Sequence, residues 1–238
     1  MGQAVTNAAL QREDMKIVCG VDPYGTSNYD YPVYKAFADV KEAVDVIIDF
    51  SNPALMKDLC DYSEKNSVPA VICTTGLSSE QTEMVKALSQ KVAVFSSGNM
   101  SLGINLLIEL CKKASLVFGG GFDVEIIEKH HNLKLDAPSG TALMIADGIS
   151  KVREDDPRYV YDRHAYRAQR AKNEIGIHSV RGGTIVGEHS VIFAGNDEVL
   201  TISHQAQSKS LFATGALSAA AFICSLSAGL YDMSDMLK

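Results

Sequence analysis

Four side chains able to carry positive charge, Lys129, His130, His131 and Lys134, fall within one six-residue stretch of this 238-residue chain, with no acid between them. An imidazole exchanges protons near neutral pH and an ammonium neutralises an anion, so the cluster suits an anionic small molecule. Immediately downstream, Pro138-Ser139-Gly140-Thr141 reads as the opening of a helix. Serine is a good N-cap, glycine lets a ligand approach the backbone amides, and a helix N-terminus receives carboxylates. Together the pieces describe a place to hold a dicarboxylate and to protonate the carbanion left after a hydride arrives. Successive strand residues face opposite ways, so His130 and His131 have different jobs unless the strand ends between them. Taken singly, each piece equally describes a strand with a basic end and a capped helix; the joint string is what points to a site.

Other chemistries find little support. His164, His178, His189 and His204 lack close metal-ligand spacing, so no metal is expected, and no GxSxG elbow or Walker loop is present. Arg163, Arg167, Arg170 and Lys172 are interspersed with acids and read as a solvated surface loop. A formal charge of −7 argues against nucleic acid and anionic membranes as partners. The five cysteines, odd in number and without a CxxC pair, read as reduced and buried, and point to the cytoplasm. Ser210 to Tyr231 runs without a charge, but its Thr214, Gly215, Ser218, Ser225, Ser227 and Gly229 favour a buried helix over a membrane span. The N-terminal residues show no secretory pattern.

The elements that must position these groups follow from the apolar pattern. Up to residue 101, short apolar runs alternate with stretches of helical period, as βαβ units and a parallel sheet require. Strands are expected over Lys16–Asp22, Val44–Phe50, Val68–Cys73 and Val92–Phe95, and helices over Pro53–Lys65 and Ser79–Gln90. Beyond it come a helix over Leu102–Phe118, a strand over Val124–His131, a helix over Thr141–Val152 and a surface loop over Arg153–Lys172. Ile175 to Gln207 holds three strands, with Arg181-Gly182-Gly183 and Gly195-Asn196-Asp197 at hairpin spacing. The expected class is α/β: a Rossmann-like parallel-sheet domain over 1–101 and 210–238, and an α+β domain with a mixed or antiparallel sheet over 102–209. Ligands of such parallel sheets lie beyond the carboxyl ends of the strands. Those ends are Asp22-Pro23, Phe50-Ser51-Asn52, Thr74-Thr75-Gly76 and Ser97-Gly98-Asn99-Met100. Asp22 stands where an acid holds the adenosine ribose of a dinucleotide, although an Asp before Pro is also an ordinary turn opener. The GxGxxG turn that cradles the pyrophosphate is not found. Met1-Gly2-Gln3-Ala4-Val5 reads as the first turn of the helix after it, so the cradle is expected to be missing from these 238 residues.

The run from Glu125 to Ala142 resembles the signature E-I-I-E-x-H-H-x-x-K-x-D-A-P-S-G-T-A of the bacterial 4-hydroxy-tetrahydrodipicolinate (dihydrodipicolinate) reductases, enzymes of the diaminopimelate route to lysine. The resemblance extends along nearly the whole chain, through Ile48–Pro53, Thr74–Gly76, Asn99–Asn105, Val180–Gly183, Val186–His189 and Gly229–Met233. It implies His130 as proton donor, Lys134 as the second catalytic cation, and His131, Ser139, Gly140 and Thr141 as the substrate carboxylate clamp. On the cofactor side it implies Asp22 at the ribose, and Thr74, Thr75, Gly76, Gly98, Asn99 and Met100 along the nicotinamide half, with Phe50 at a neighbouring strand end. A homotetramer built through the second domain's sheet, and use of NADH or NADPH, are family implications as well. Pro23 stands after Asp22 where some members have an Arg for the 2′-phosphate, which favours NADH. Only Met1-Gly2 remain of the family's first strand and its loop ending Gly-Arg-Met-Gly. Two readings follow: a reductase whose frame begins upstream, or a non-catalytic remnant that binds dicarboxylates or assembles without turnover. Another two-domain dehydrogenase is a third reading, and it leaves the two histidines and the lysine beside a helix start unexplained.

Overall fold

The computed structural model describes residues 1–25, 29–165 and 167–238. Two compact units emerge, Met1–Ser101 with Ser210–Lys238, and Leu102–Lys209. The first begins with α1 (Gly2–Ala9), β1 (Gly20–Val21), β2 (Val33–Tyr34), β3 (Ile47–Asp49), α2 (Met56–Asn66), β4 (Ala70–Ile72), α3 (Ser79–Ser89) and β5 (Ala93–Ser96). The second comprises α4 (Leu102–Phe118), β6 (Asp123–His130), α5 (Gly140–Ser150), β7 (Arg158–Val160), β8 (Glu174–Arg181), β9 (Gly187–Ala194) and β10 (Val199–Ala206). The chain then re-enters the first unit as α6 (Ser210–Ile223), β11 (Gly229–Tyr231) and α7 (Met233–Met236).

In the first unit, β11, β5, β4 and β3 form an all-parallel sheet. Near-continuous apolar runs make strands that are buried on both faces, and β4 is buried along its whole length. Strand alternation divides the layers: Ile47 packs with Met56, Leu59, Val85 and Leu88 of α2 and α3, while Ile48 packs with Val5 and Ala9 of α1 and Ala213 and Leu217 of α6. The strands expected over Lys16–Asp22 and Val44–Phe50 shrink to Gly20–Val21 and Ile47–Asp49. Among the described residues each is hydrogen-bonded along one edge only, β1 to β2 in a separate two-stranded sheet and β3 to β4, so regular geometry extends only where the single neighbour runs. Met15 and Ile17, ahead of β1, nevertheless pack on the same α1–α6 layer as Ile48 and Phe50.

The charge-free run from Ser210 is not one helix. It is the 14-residue α6, a turn closed by Leu226 N–H on the Ile223 carbonyl, and β11 alongside β5. No helix among the described residues is long and apolar enough to cross a membrane. The small residues of α6 permit backbone approach instead, since a Cβ on Gly215 would stand 1.7 Å from the Met100 carbonyl oxygen.

In the second unit the order β10-β9-β6-β8-β7 puts β6 at the centre, antiparallel to β9 and parallel to β8. Val124, Ile126, Ile175, Ile177, Val191 and Phe193 meet Leu107 and Cys111 of α4 and Ile145 and Ile149 of α5 on one face. The glycines after Arg181 do not make the expected hairpin, because β6 lies between β8 and β9. Instead that turn wraps the end of β6: Gly182 N–H donates to the His130 carbonyl at 2.9 Å and Asn132 N–H to the Gly183 carbonyl at 3.2 Å. The second turn is a hairpin, joining β9 to β10. The supposed surface loop over Arg153–Lys172 contains β7, and it is strapped to the sheet: Arg170 donates to Asp123, Glu125 and the Val124 and Glu174 carbonyls. Tyr166, inside that stretch, lies outside the described residues.

Because a side chain at position 215 has no room, Gly215→Ala must push α6 off the β5–α4 turn. Overpacking of this kind costs about 1–3 kcal/mol. The expected result is a lower urea midpoint at unchanged slope; an unchanged midpoint would refute the close approach.

Candidate functional site

The inner face of the second unit's sheet changes character along its strands. Two rows are hydrocarbon, Val124/Ile175/Phe193 and Ile126/Ile177/Val191. The next row in the same register is Glu128/Ser179/His189, and the one after it pairs His130 with Arg181. Residues two apart in a strand share a face, so the sequence E-x-H at the end of β6 delivers a carboxylate and an imidazole to the rim of the core.

Glu128 has no exposed side-chain surface. Its Oε1 accepts from Arg181 Nη2 at 2.7 Å and from the Ser139 amide at 3.1 Å. Its Oε2 accepts from Arg181 Nη1 at 2.8 Å and lies 2.6 Å from His130 Nδ1. Burial alone pushes a carboxyl pKa up. Here the Arg181 fork, the Ser179 hydroxyl, His130 and the Ser139 amide outweigh burial and bring Glu128 down to about 2. Ser139 caps α5 with Oγ accepting from the Ala142 amide at 3.2 Å, and the same oxygen meets His189 Nε2 at 3.0 Å. Burial and the neighbouring His130 hold His189 down to about 4. The His130 and His189 rings stand edge to face with centroids 5.2 Å apart.

Of the predicted substrate and catalytic residues, His130 and Ser139 are thus tied together through one carboxylate. His131 lies just past the end of β6 and is half-buried, so the strand does end between the two histidines. Lys134 follows in a turn closed by its amide on the His131 carbonyl, and its ammonium pairs with Asp136 at 2.8 Å. Gly140 and Thr141 form the first turn of α5, with Gly140 exposed. Lys129 does not join them: it points to the other face of β6 and pairs with Glu188 at 2.5 Å. Acids outside the six-residue window balance the cluster, Glu188 at Lys129 and Asp136 at Lys134.

The predicted cofactor residues lie in the first unit. Phe50, Thr74, Thr75, Gly76, Gly98, Asn99 and Met100 follow the carboxyl ends of three adjacent parallel strands, β3, β4 and β5. Gly76 has φ +76°, a left-handed turn that glycine adopts without strain. Asn99 Oδ1 accepts from the Ser101 amide, which sets the turn before α4. Asp22 follows β1, and its Oδ1 accepts from the Tyr24 amide at 2.9 Å. Two buried polar atoms at these ends, Asp49 Oδ2 and Thr74 Oγ1, have no hydrogen-bond partner among the described residues. A ligand rich in donors and acceptors, such as the nicotinamide half of a dinucleotide, fits that pair. Three residues the sequence reading passed over, Glu128, Arg181 and His189, complete the second unit's site. Glu128 stands inside the quoted signature, where the E-x-H spacing on one strand face is the signal available; Arg181 and His189 arrive from β8 and β9, and the signal for them is the resemblance through Val180–Gly183 and Val186–His189.

Two family models match the chain, "Dihydrodipicolinate reductase, N-terminus" over residues 1–100 and "Dihydrodipicolinate reductase, C-terminus" over residues 103–237. The chain is 52% identical over 238 residues to the 4-hydroxy-tetrahydrodipicolinate reductase of Caldanaerobacter subterraneus subsp. tengcongensis, covering 100% of this chain and 94% of that protein. It is 45% identical over 238 residues to the enzyme of the same name from Clostridium tetani, covering 100% and 93%. Among solved structures it is similar to a dipicolinate-bound dihydrodipicolinate reductase from Paenisporosarcina sp. TG-14, with TM-score 0.80 and 26% identity over 97% of this chain and 92% of that one.

The two perturbed groups dictate an acid limb in two stages. His189 takes up a proton near 6.5 when unfolded but only at about 4 when folded, so the stability it contributes is full above 6.5 and falls as pH drops towards 4. Glu128 is ionised down to about 2 when folded against 4.5 ordinarily, so its contribution is full above 4.5 and falls towards 2. Urea midpoints measured across this range should decline in both windows, and His189→Gln should flatten the upper one. A wild-type midpoint that stays level between pH 6.5 and 4 would contradict the burial of a neutral His189.

Proposed function

The chain belongs to the dihydrodipicolinate reductase family, and on that premise we propose how its own residues carry out reduction of 4-hydroxy-tetrahydrodipicolinate to tetrahydrodipicolinate. The observation that carries the proposal is the junction at the end of β6, where one buried carboxylate joins the His130 imidazole to the Ser139 cap of α5. The first turn of a helix leaves amide N–H groups without intrahelical acceptors. The exposed, side-chain-free Gly140 lets a substrate carboxylate approach the backbone at the start of α5, beside Thr141 and the Ser139 hydroxyl. His131 and Lys134, on the turn just before, hold the second carboxylate. Lys134 does so by exchanging Asp136 for the substrate, because the carboxylate of Asp136 is 56% exposed and a half-solvated pair is weak. His130, joined to the Ser139 cap through Glu128, gives the proton to the substrate carbon framework.

The 4-hydroxyl leaves as water with a proton from the neighbouring ring carbon; a reduced nicotinamide dinucleotide, when bound, would supply the hydride that takes its place at C4, and the His130 proton goes to that neighbouring carbon. Asp22 would hold its ribose, and Phe50, Thr74, Thr75, Gly76, Gly98, Asn99 and Met100 its nicotinamide half, with the orphaned oxygens of Asp49 and Thr74 receiving polar groups. Asp22 and Pro23 support NADH over NADPH, since a carboxylate repels a 2′-phosphate. A homotetramer assembled on the outer face of the second unit's sheet is supported by the exposed Val180 and Val199. A cytoplasmic location is supported by five cysteines that are all unbridged.

A coupled assay that generates the unstable substrate with its upstream aldolase, followed by NADH and NADPH oxidation, tests the proposal. Turnover is expected with both, NADH preferred. His130→Gln should lower kcat by about 10²–10⁴, leaving NADH affinity by isothermal titration unchanged. Unchanged turnover in that variant would remove His130 as the proton donor. Dipicolinate binding with no measurable NADH binding would favour the non-catalytic reading.

A further inference from the structure

We infer that Glu128 is a positioning residue whose buried, Arg181-held carboxylate fixes the tautomer of His130 and sets its placement against the start of α5. The inference deepens the proposed function, resting on the reading of His130 as proton donor. Both oxygens of Glu128 are committed to donors. Oε1 serves Arg181 Nη2 and the Ser139 amide, and Oε2 serves Arg181 Nη1 and His130 Nδ1. A carboxylate that stays ionised is an acceptor only, so Nδ1 is the ring nitrogen that carries hydrogen and donates it. Nε2 is thereby the nitrogen left to exchange a proton with a ligand. β9 makes room at that edge of the ring: a Cβ on Gly187 would stand 3.1 Å from Nε2.

Arg181 is what makes the arrangement rigid. Its fork grips both oxygens, and its Nη2 also reaches the Asp136 carbonyl at 2.6 Å, on the loop that carries Lys134 into α5. The carboxylate plane is therefore set by a residue of β8, while the two groups it aims, His130 and Ser139, belong to β6 and the α5 cap. One side chain thus registers the proton donor to the anion-binding helix start. Glutamine has one acceptor oxygen where glutamate has two. Placed on the side of Ser139 and Arg181, its oxygen leaves an NH₂ facing Nδ1, which turns the ring into the opposite tautomer; placed on the His130 side, it leaves the NH₂ against two donors. Replacing an orienting carboxylate by its amide costs up to about 10⁴ in turnover where the wrong tautomer results.

The test has two arms on the full chain. Nitrogen-15 NMR of labelled histidine, with the His130 signal assigned by its loss in His130→Gln, should show Nδ1 protonated in the wild type and an inverted or mixed tautomer in Glu128→Gln. This arm needs no turnover. In the coupled assay, Glu128→Gln should lower kcat by about 10²–10³ with KM for substrate and NADH within about threefold. Added to His130→Gln it should cost less than about twofold more, because two residues acting as one unit are not additive. If Glu128→Gln does not fold, Glu128→Asp goes through the same cycle, with the same non-additivity expected. A wild-type His130 protonated on Nε2, or multiplicative losses in the cycle, overturns the inference. Absent turnover together with the Nδ1–H tautomer instead overturns the reductase reading and leaves the contact standing.

Discussion

A carboxylate with no exposed surface is the constraint around which the second unit is arranged. Ionised Glu128 inside the fold would be untenable without several donors, because the cost of stripping its water exceeds what a single partner returns. The strand register supplies them from three directions: Arg181 from β8, the Ser139 amide from the α5 cap and His130 from two residues along. Each donor is thereby fixed in space as well as satisfied. The hydrocarbon rows beneath do the complementary work of holding the three strands in register, since a one-residue slip would send Glu128 to the opposite face.

The first unit solves a different problem by simpler means. Its strands are short, parallel and apolar, and its candidate cofactor residues lie in the turns that follow them. Placement there depends on strand ends being level, which the parallel register of β3, β4 and β5 enforces. The turn after β5 is further pinned by the close approach of α6 at Gly215, so the last cofactor candidates, Asn99 and Met100, rest on packing against the returning C-terminal segment. That segment lies more than a hundred residues from the turn it supports.

These distances explain what the sequence could disclose. The parallel strands, the two long helices of the second unit and the string from Glu125 to Ala142 are local patterns of period and residue type, and each was legible. Strand lengths were not, because β1 and β3 are regular only where a neighbour pairs with them. Nor was the position of β6 between β8 and β9: the glycines after Arg181 look like a hairpin in sequence, and only the sheet order shows them wrapping the end of another strand. Arg170 reads as solvated for the same reason, the two carboxylates it grips being some 45 residues away on β6. Part of the charge balance falls in this class too, because the partner of Lys129 is on β9 and the fork on Glu128 comes from β8, whereas Asp136, the partner of Lys134, stands two residues along in the quoted string.

That balance bears on how an acidic protein can receive a dianion. Near the proposed clamp Arg181 is matched by Glu128 and Lys134 by Asp136, so the fixed charges cancel in pairs. The two pairs differ in kind. Glu128 is fully buried and doubly gripped, and opening its pair would strand a charge in low dielectric. The Asp136 carboxylate is half in water, its pair with Lys134 is a single contact, and exchanging one carboxylate for another there costs little. On the proposed reading, attraction for the substrate resides in the start of α5 and in a lysine whose present partner is replaceable, while the buried pair keeps the imidazole aimed throughout. An uncompensated cluster of cations would bind anions of any shape. Charges cancelled in pairs leave direction, from a helix start and one exchangeable ammonium, as the basis of selection.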